Sequence, residues 1–164
     1  MRLSSLPFAE LQVRLSQGKL CLQTGPFSVR VESSIVSVAE GLAQLYADFE
    51  LAEAAFSDFH VSVKRAAGLR RWLAPQVNFL VDGFRPFKPL PLNQAYPMLE
   101  WGLNWCISSQ AHHLLIIHAA VIEKNGFAAI LPAPPGSGKS TLCAGLVLSG
   151  WRLLSDELTL IDPK

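Results

Sequence analysis

The sequence predicts an α/β chain in two parts: a small α+β module over residues 1–90, then the opening portion of an incomplete P-loop domain over residues 91–164. Three observations carry this. The stretch ILPAPPGSGKSTL, residues 130–142, sets a glycine-rich loop between an apolar strand-like run and an apolar helix-like run, the order in which a phosphate-binding loop is built. The first part alternates short β-like runs with helix-like ones. Few residues follow the loop helix, too few for the several covered strands of an open α/β sheet. The second part is therefore expected to begin a domain that continues beyond Lys164.

The elements follow in order. Residues 5–15 read as a short amphipathic helix capped by Ser5. Residues 19–24 and 27–32 alternate well enough for a hairpin about Gly25-Pro26. Residues 36–46 carry apolar side chains at helical spacing. Residues 59–64 set Phe59, Val61 and Val63 against His60, Ser62 and Lys64, a half-buried strand. Residues 72–82 hold another strand, ending at the turn signal Asp82-Gly83. Three prolines make residues 85–91 a connector. Residues 92–110 form the strongest helix. Leu92, Tyr96, Leu99, Leu103 and Ile107 make one stripe with Trp101 and Trp105 beside it, a pattern of core rather than of a cofactor box. Residues 113–123 and 127–131 read as strands joined at Lys124-Asn125-Gly126. Residues 140–147 are the loop helix, and residues 152–155 and 158–161 are short strands.

Composition removes several classes of function. Half the residues are apolar, 16% are charged and the net charge is +1, so no nucleic-acid surface is expected. The basic run KRAAGLRR, residues 64–71, reads as a solvated loop rather than an anion patch. No run of about 18 apolar residues provides a membrane span, and the N-terminus lacks the apolar core of a secretory signal. Cys21, Cys106 and Cys143 are scattered without zinc-site spacing, and Cys106 and Cys143, in apolar helical stretches, read as buried reduced thiols. A cytoplasmic setting is expected.

The chemistry concentrates in the loop. Its register is Ala133, Pro134, Pro135, Gly136, Ser137, Gly138, Lys139, Ser140, followed by Thr141. It departs from G-x-x-x-x-G-K-[ST] only in Ala133 at the first glycine. Gly136 and Gly138 allow backbone amides to turn inward around an anion, and the helix N-terminus favours negative charge. Lys139 is expected to reach the β and γ phosphates and the Ser140 hydroxyl to hold Mg²⁺. Ala133 is harmless if its φ is negative and strained otherwise. Past the helix, Asp156 and Glu157 stand at a strand end, where an open α/β sheet borders its ligand crevice. Asp156 suits Mg²⁺ binding or proton acceptance from an attacking hydroxyl; the bland alternative is a solvated turn acid. His118, inside LLIIHAAV, reads by itself as a satisfied core histidine. His60, His112 and His113 read as surface residues.

These segments together resemble the HPr kinase/phosphorylase family. A histidine-bearing strand, a turn, a strand, the loop, a helix and an acidic pair appear here as IHAA, EKNG, FAAILP, APPGSGKST and GWRLLSDE. His118 matches that family's active-site histidine, and Asp156 and Glu157 match its acidic pair. Ala119, Ala133, Thr141 and Glu157 depart from the family's residues, with Thr141 standing where true HPr kinases carry glutamate. The chain looks closer to the HPr-kinase-related kinase A group found with exosortase systems, in TGPFSVRV, FKPLP and LEWGLNWCI as well. The resemblance implies an HPr kinase/PEP carboxykinase-like fold and an ATP- and Mg²⁺-dependent kinase, with a serine of a protein partner as acceptor. It also implies a homo-oligomer, and Asp156 as base with His118 orienting it. Two other readings stay open: a P-loop small-molecule kinase, and a nucleotide sensor without catalysis.

Overall fold

A computed structural model describes all residues except 53–55, 69–72, 135 and 164. The chain is mixed α/β, with two sheets and four α-helices among the described residues. It forms two compact units, Met1–Cys106 and Ile107–Lys164, dividing later in the chain than the sequence boundary at residue 90.

The first unit begins with a 3-10 turn, Leu3–Ser5, and helix α1, Phe8–Ser16. Ser5 does not cap that helix. Its hydroxyl donates to the Arg2 carbonyl at 2.6 Å, and Pro7 occupies the cap position. A residue before proline is driven out of the helical region, so Leu6 is extended and the helix starts only after Pro7. Strands β1 (Leu20–Thr24) and β2 (Phe27–Ser33) form the expected antiparallel hairpin. Helix α2 (Val36–Leu45) leads on to β3 (Phe59–Arg65), which pairs parallel with β2. Strand β4 (Gln76–Val81) returns antiparallel to β3, and the two-residue β5 (Leu90–Pro91) closes the edge. A short edge strand with proline offers little for another chain to pair with. The predicted strand start at Trp72, and the Arg70 and Arg71 part of the basic run, lie outside the described residues.

Leu11 and Leu15 of α1, Val38 and Leu42 of α2, and the inward residues Leu20, Leu22, Val29, Val31, Phe59, Val61, Val63, Val77 and Phe79 build this unit's core. Helix α3, Ala95–Gln110, buries Ala95, Met98, Leu99, Gly102, Leu103 and Cys106. Of the predicted stripe only Leu99 and Leu103 are fully buried; Leu92, Tyr96 and Ile107 are half-buried. The face is turned because Phe79 lies against Gly102, where an added Cβ would stand 2.2 Å from the ring. The hydroxyl of Tyr96 donates to Glu100 at 2.5 Å, which keeps its polar tip off the core. Trp101 is exposed and stacks flat on Phe87 at 4.8 Å.

The second unit is organised by one strand. β6, Leu115–Lys124, pairs antiparallel with β7 (Phe127–Pro132), with β8 (Arg152–Ser155) and with β9 (Leu158–Ile161). The parallel sheet expected here is not formed by the described strands. Because β7 and β8 each oppose β6, they run in the same direction, and their carboxyl ends emerge at the same end of the sheet. Helix α4, Lys139–Leu148, covers one face, setting Cys143 against Ala120 and Ile122, with Ala129, Leu131, Leu146, Val147 and Trp151 around them. The β6–β7 turn has Asn125 at φ 55° and Gly126 at φ 84°, the double positive φ of a tight hairpin turn. The Gly126 N–H donates to Glu123 Oε1 at 2.8 Å, and Glu123 also pairs with Arg152 at 3.0 Å.

Candidate functional site

The loop leaves β7 at Pro132 and enters α4 at Lys139. Gly136 has φ 80° and Gly138 φ 85°, conformations that a side chain would strain. Gly138 is the N-cap, and no side chain caps the helix. The first intrahelical bond runs from Leu142 N to the Gly138 carbonyl at 2.9 Å, so the first-turn amides keep no intrahelical partner. These amides, the helix dipole and Lys139 at the first helical position favour an anion. Ala133 is not among the positive-φ residues, which outside glycine are Asp82 and Asn125 among the described residues. The missing glycine therefore introduces no backbone strain.

The acidic pair has a different setting from the one its sequence suggests. Asp156 and Glu157 interrupt one long run that pairs with β6. Ile122 pairs with Leu153 but Val121 pairs with Ser155, leaving Leu154 as an extra residue. The new offset persists on the far side of the break, where His118 pairs with Leu158. A bulge of this kind re-aims side chains. The Ser155 hydroxyl donates to the Leu158 carbonyl at 2.7 Å, and the buried Thr159 hydroxyl donates to the Ala119 carbonyl at 3.0 Å.

His118 is exposed rather than buried in the core. It stands where β6 changes neighbours: β9 pairs through His118, whereas β7 pairs only from Ala119 onward. The strands flanking β6 part at that point and open a cavity of about 420 Å³. Its lining is His118, Ala133, Pro134, Gly136, Gly138, Lys139, Ser140, Thr141, Asp156 and Glu157. Of the residues read from the sequence as site residues, Ser137 is not in this lining; its amide donates to the Pro134 carbonyl at 3.3 Å. Pro135 lies outside the described residues. No hydrogen bond or ion pair joins His118 to Asp156 or to Lys139, so the orienting contact implied for His118 is not made directly. Below the loop, burial raises the Cys143 thiol above its ordinary pKa; the Asp156 charge adds to this and Lys139 opposes it.

The donor set suits a nucleotide with a hard cation. Hydroxyl and carboxylate oxygens, here Ser140 and Asp156, are what Mg²⁺ takes when phosphates and water complete its shell. Among the described residues no group of three or more His, Cys, Asp or Glu side chains forms a dedicated metal cage. Sequence reasoning missed the hydroxyls of Ser155 and Thr159, which act through backbone carbonyls and carry no motif. The larger cavity of the first unit, about 640 Å³ between the start of α2 and the β3 and β4 ends, has Arg65 as its one charged lining residue among those described. It gathers no acid–base pair.

No helix among the described residues is long and apolar enough to cross a membrane. Compared with protein-family models, curated proteins and solved structures, the chain matches none.

Proposed function

We infer that the chain binds a nucleoside triphosphate, ATP with Mg²⁺, and transfers its γ-phosphoryl group to a hydroxyl as a kinase of the HPr-kinase type. The proposed acceptor is a serine of a protein partner. One observation carries this reading: a single cavity lined by the loop, Lys139, Ser140, His118 and the Asp156–Glu157 pair. Lys139 and the loop amides hold the phosphates, and Ser140 and Asp156 would hold Mg²⁺, which would supply charge neutralisation to the transferring group. Asp156 accepts the proton of the acceptor hydroxyl. The new bond joins the acceptor oxygen to the γ-phosphorus as the bond to the β–γ bridging oxygen breaks and ADP leaves. Phosphoryl transfer asks little covalent chemistry of a protein, so positioning and charge dominate. His118 contributes from the cavity wall, with no hydrogen bond to the carboxylate. The finer fold assignment, an HPr kinase/PEP carboxykinase-like domain, belongs to the same inference.

The test is transfer of radiolabel from γ-labelled ATP in a lysate containing the full-length protein. A labelled protein band is expected. A labelled small molecule would replace the acceptor, and no label with intact nucleotide binding would leave a sensor. Asp156→Asn keeps the side chain's shape and removes the proton acceptor. It is expected to slow the chemical step by about 10²–10⁴ and, because Asp156 also holds Mg²⁺, to weaken Mg²⁺·ATP binding by about tenfold. Wild-type transfer by that variant would sink the mechanism.

A further inference from the structure

Asp156 faces the loop because the strand opposite β6 is broken beside it, and the break is held rather than slack. Ser155 ties one side of the acidic pair to the other through the Leu158 carbonyl. Thr159 spans the gap from β9 to the Ala119 carbonyl of β6. Thr159 is 5% exposed and Ala119 is fully buried, so removing this hydroxyl takes a donor away from a buried carbonyl. Outer contacts of this kind orient the groups that meet a cation.

We propose that Thr159 and Ser155 are positioning residues, holding the Asp156 carboxylate toward the loop so that Mg²⁺ and nucleotide bind as a coupled pair. This rests on the nucleotide reading above. The loop offers Lys139 and the helix N-terminus to phosphate, whereas the link between β8 and β9 offers Asp156 and Glu157. A metal-free triphosphate facing those carboxylates is repelled, and one carrying Mg²⁺ is bridged to them. The position of Asp156 therefore sets how strongly Mg²⁺ tightens nucleotide binding.

The experiment is calorimetric titration of the full-length protein with ATP, once in Mg²⁺ and once in a chelator, read as the ratio of the two affinities. In the wild type Mg²⁺ is expected to tighten ATP binding by about tenfold or more. Thr159→Val is expected to lower that ratio by about tenfold, the size of an outer-contact loss at a cation site, with affinity in chelator unchanged. Thr159→Ser keeps the hydroxyl and should restore the ratio. On an Asp156→Asn background Thr159→Val should change it no further, because the two substitutions act through one group. A Thr159→Val protein that melts earlier yet keeps the wild-type ratio would overturn the proposal. Should that variant not fold, Ser155→Ala carries the same test, and an unchanged ratio there overturns it equally. Failure of the wild type to bind ATP in either buffer would instead remove the nucleotide reading itself.

Discussion

Ala133 illustrates how one residue's backbone decides whether a broken motif matters. Its φ lies on the negative side, where alanine is at ease and glycine only adds freedom to the unfolded chain. Ala133→Gly is expected to leave ATP affinity within about threefold and to cost roughly 0.4–1 kcal/mol of stability. Calorimetry and denaturant unfolding measure the two; a rise in stability would contradict the assigned conformation. The loop itself was legible because Gly136, Gly138, Lys139 and Ser140 sit at fixed spacing between a strand and a helix. His118 was not. Its apolar neighbours, LLIIHAAV, suggest burial, and its exposure follows from where β7 and β9 part along β6, which no local pattern records. Asp156 and Glu157 were legible as acids near a strand end, but not as a break held within a strand.

At the scale of the element, α3 separates what periodicity gives from what packing adds. Its length and type follow from apolar spacing, but its buried face is turned by the Phe79 ring at Gly102 and by the Tyr96–Glu100 hydrogen bond. Met98→Ala should therefore cost about 2–5 kcal/mol as a large-to-small change at a fully buried site. Ile107→Ala should cost clearly less, since Ile107 is only half-buried. Denaturant unfolding of both variants reads the difference, and equal losses would restore the stripe read from the sequence. The strand ranges 152–155 and 158–161 were read correctly. Their joint pairing with β6 was not, since antiparallel or parallel partnership depends on contacts distant in sequence. The start of α1 failed for a local reason, the effect of Pro7 on Leu6.

Across the whole molecule, the two units differ in how much they bury. The first has a core drawn from three helices and four strands. In the second, α4 buries only Cys143, while Leu148 is 89% and Phe127 80% exposed. None of the three cysteines is in a disulfide, and all are buried, as expected for Cys106 and Cys143 from their apolar helical settings. Burial, with the nearby Asp82 charge adding, pushes the Cys106 thiol up to about 12. A pKa raised on folding contributes stability that is present below the thiol's ordinary value and is lost as pH rises toward about 12. At neutral pH all three thiols should resist a thiol reagent in the native state. In rising denaturant Cys143 should label before Cys21 and Cys106, because the smaller core opens at lower free energy. Mass spectrometry of the labelled peptides gives the order, and simultaneous labelling would show one cooperative unit.

The Asn125-Gly126 turn has a consequence for how the protein ages. An asparagine before glycine loses its amide when the glycine's backbone nitrogen attacks the side-chain carbonyl carbon, closing a succinimide that opens to aspartate or isoaspartate. Here that nitrogen already donates its proton to Glu123, and Arg152 holds Glu123 in place. The folded hairpin should thus protect its own weakest amide. On storage at mildly alkaline pH, Glu123→Ala should deamidate at Asn125 several-fold faster than the wild type, a change of the size expected when a hydrogen bond worth about 1 kcal/mol is removed. Peptide mapping reads it directly, and equal rates would mean that the turn is protected by its geometry alone.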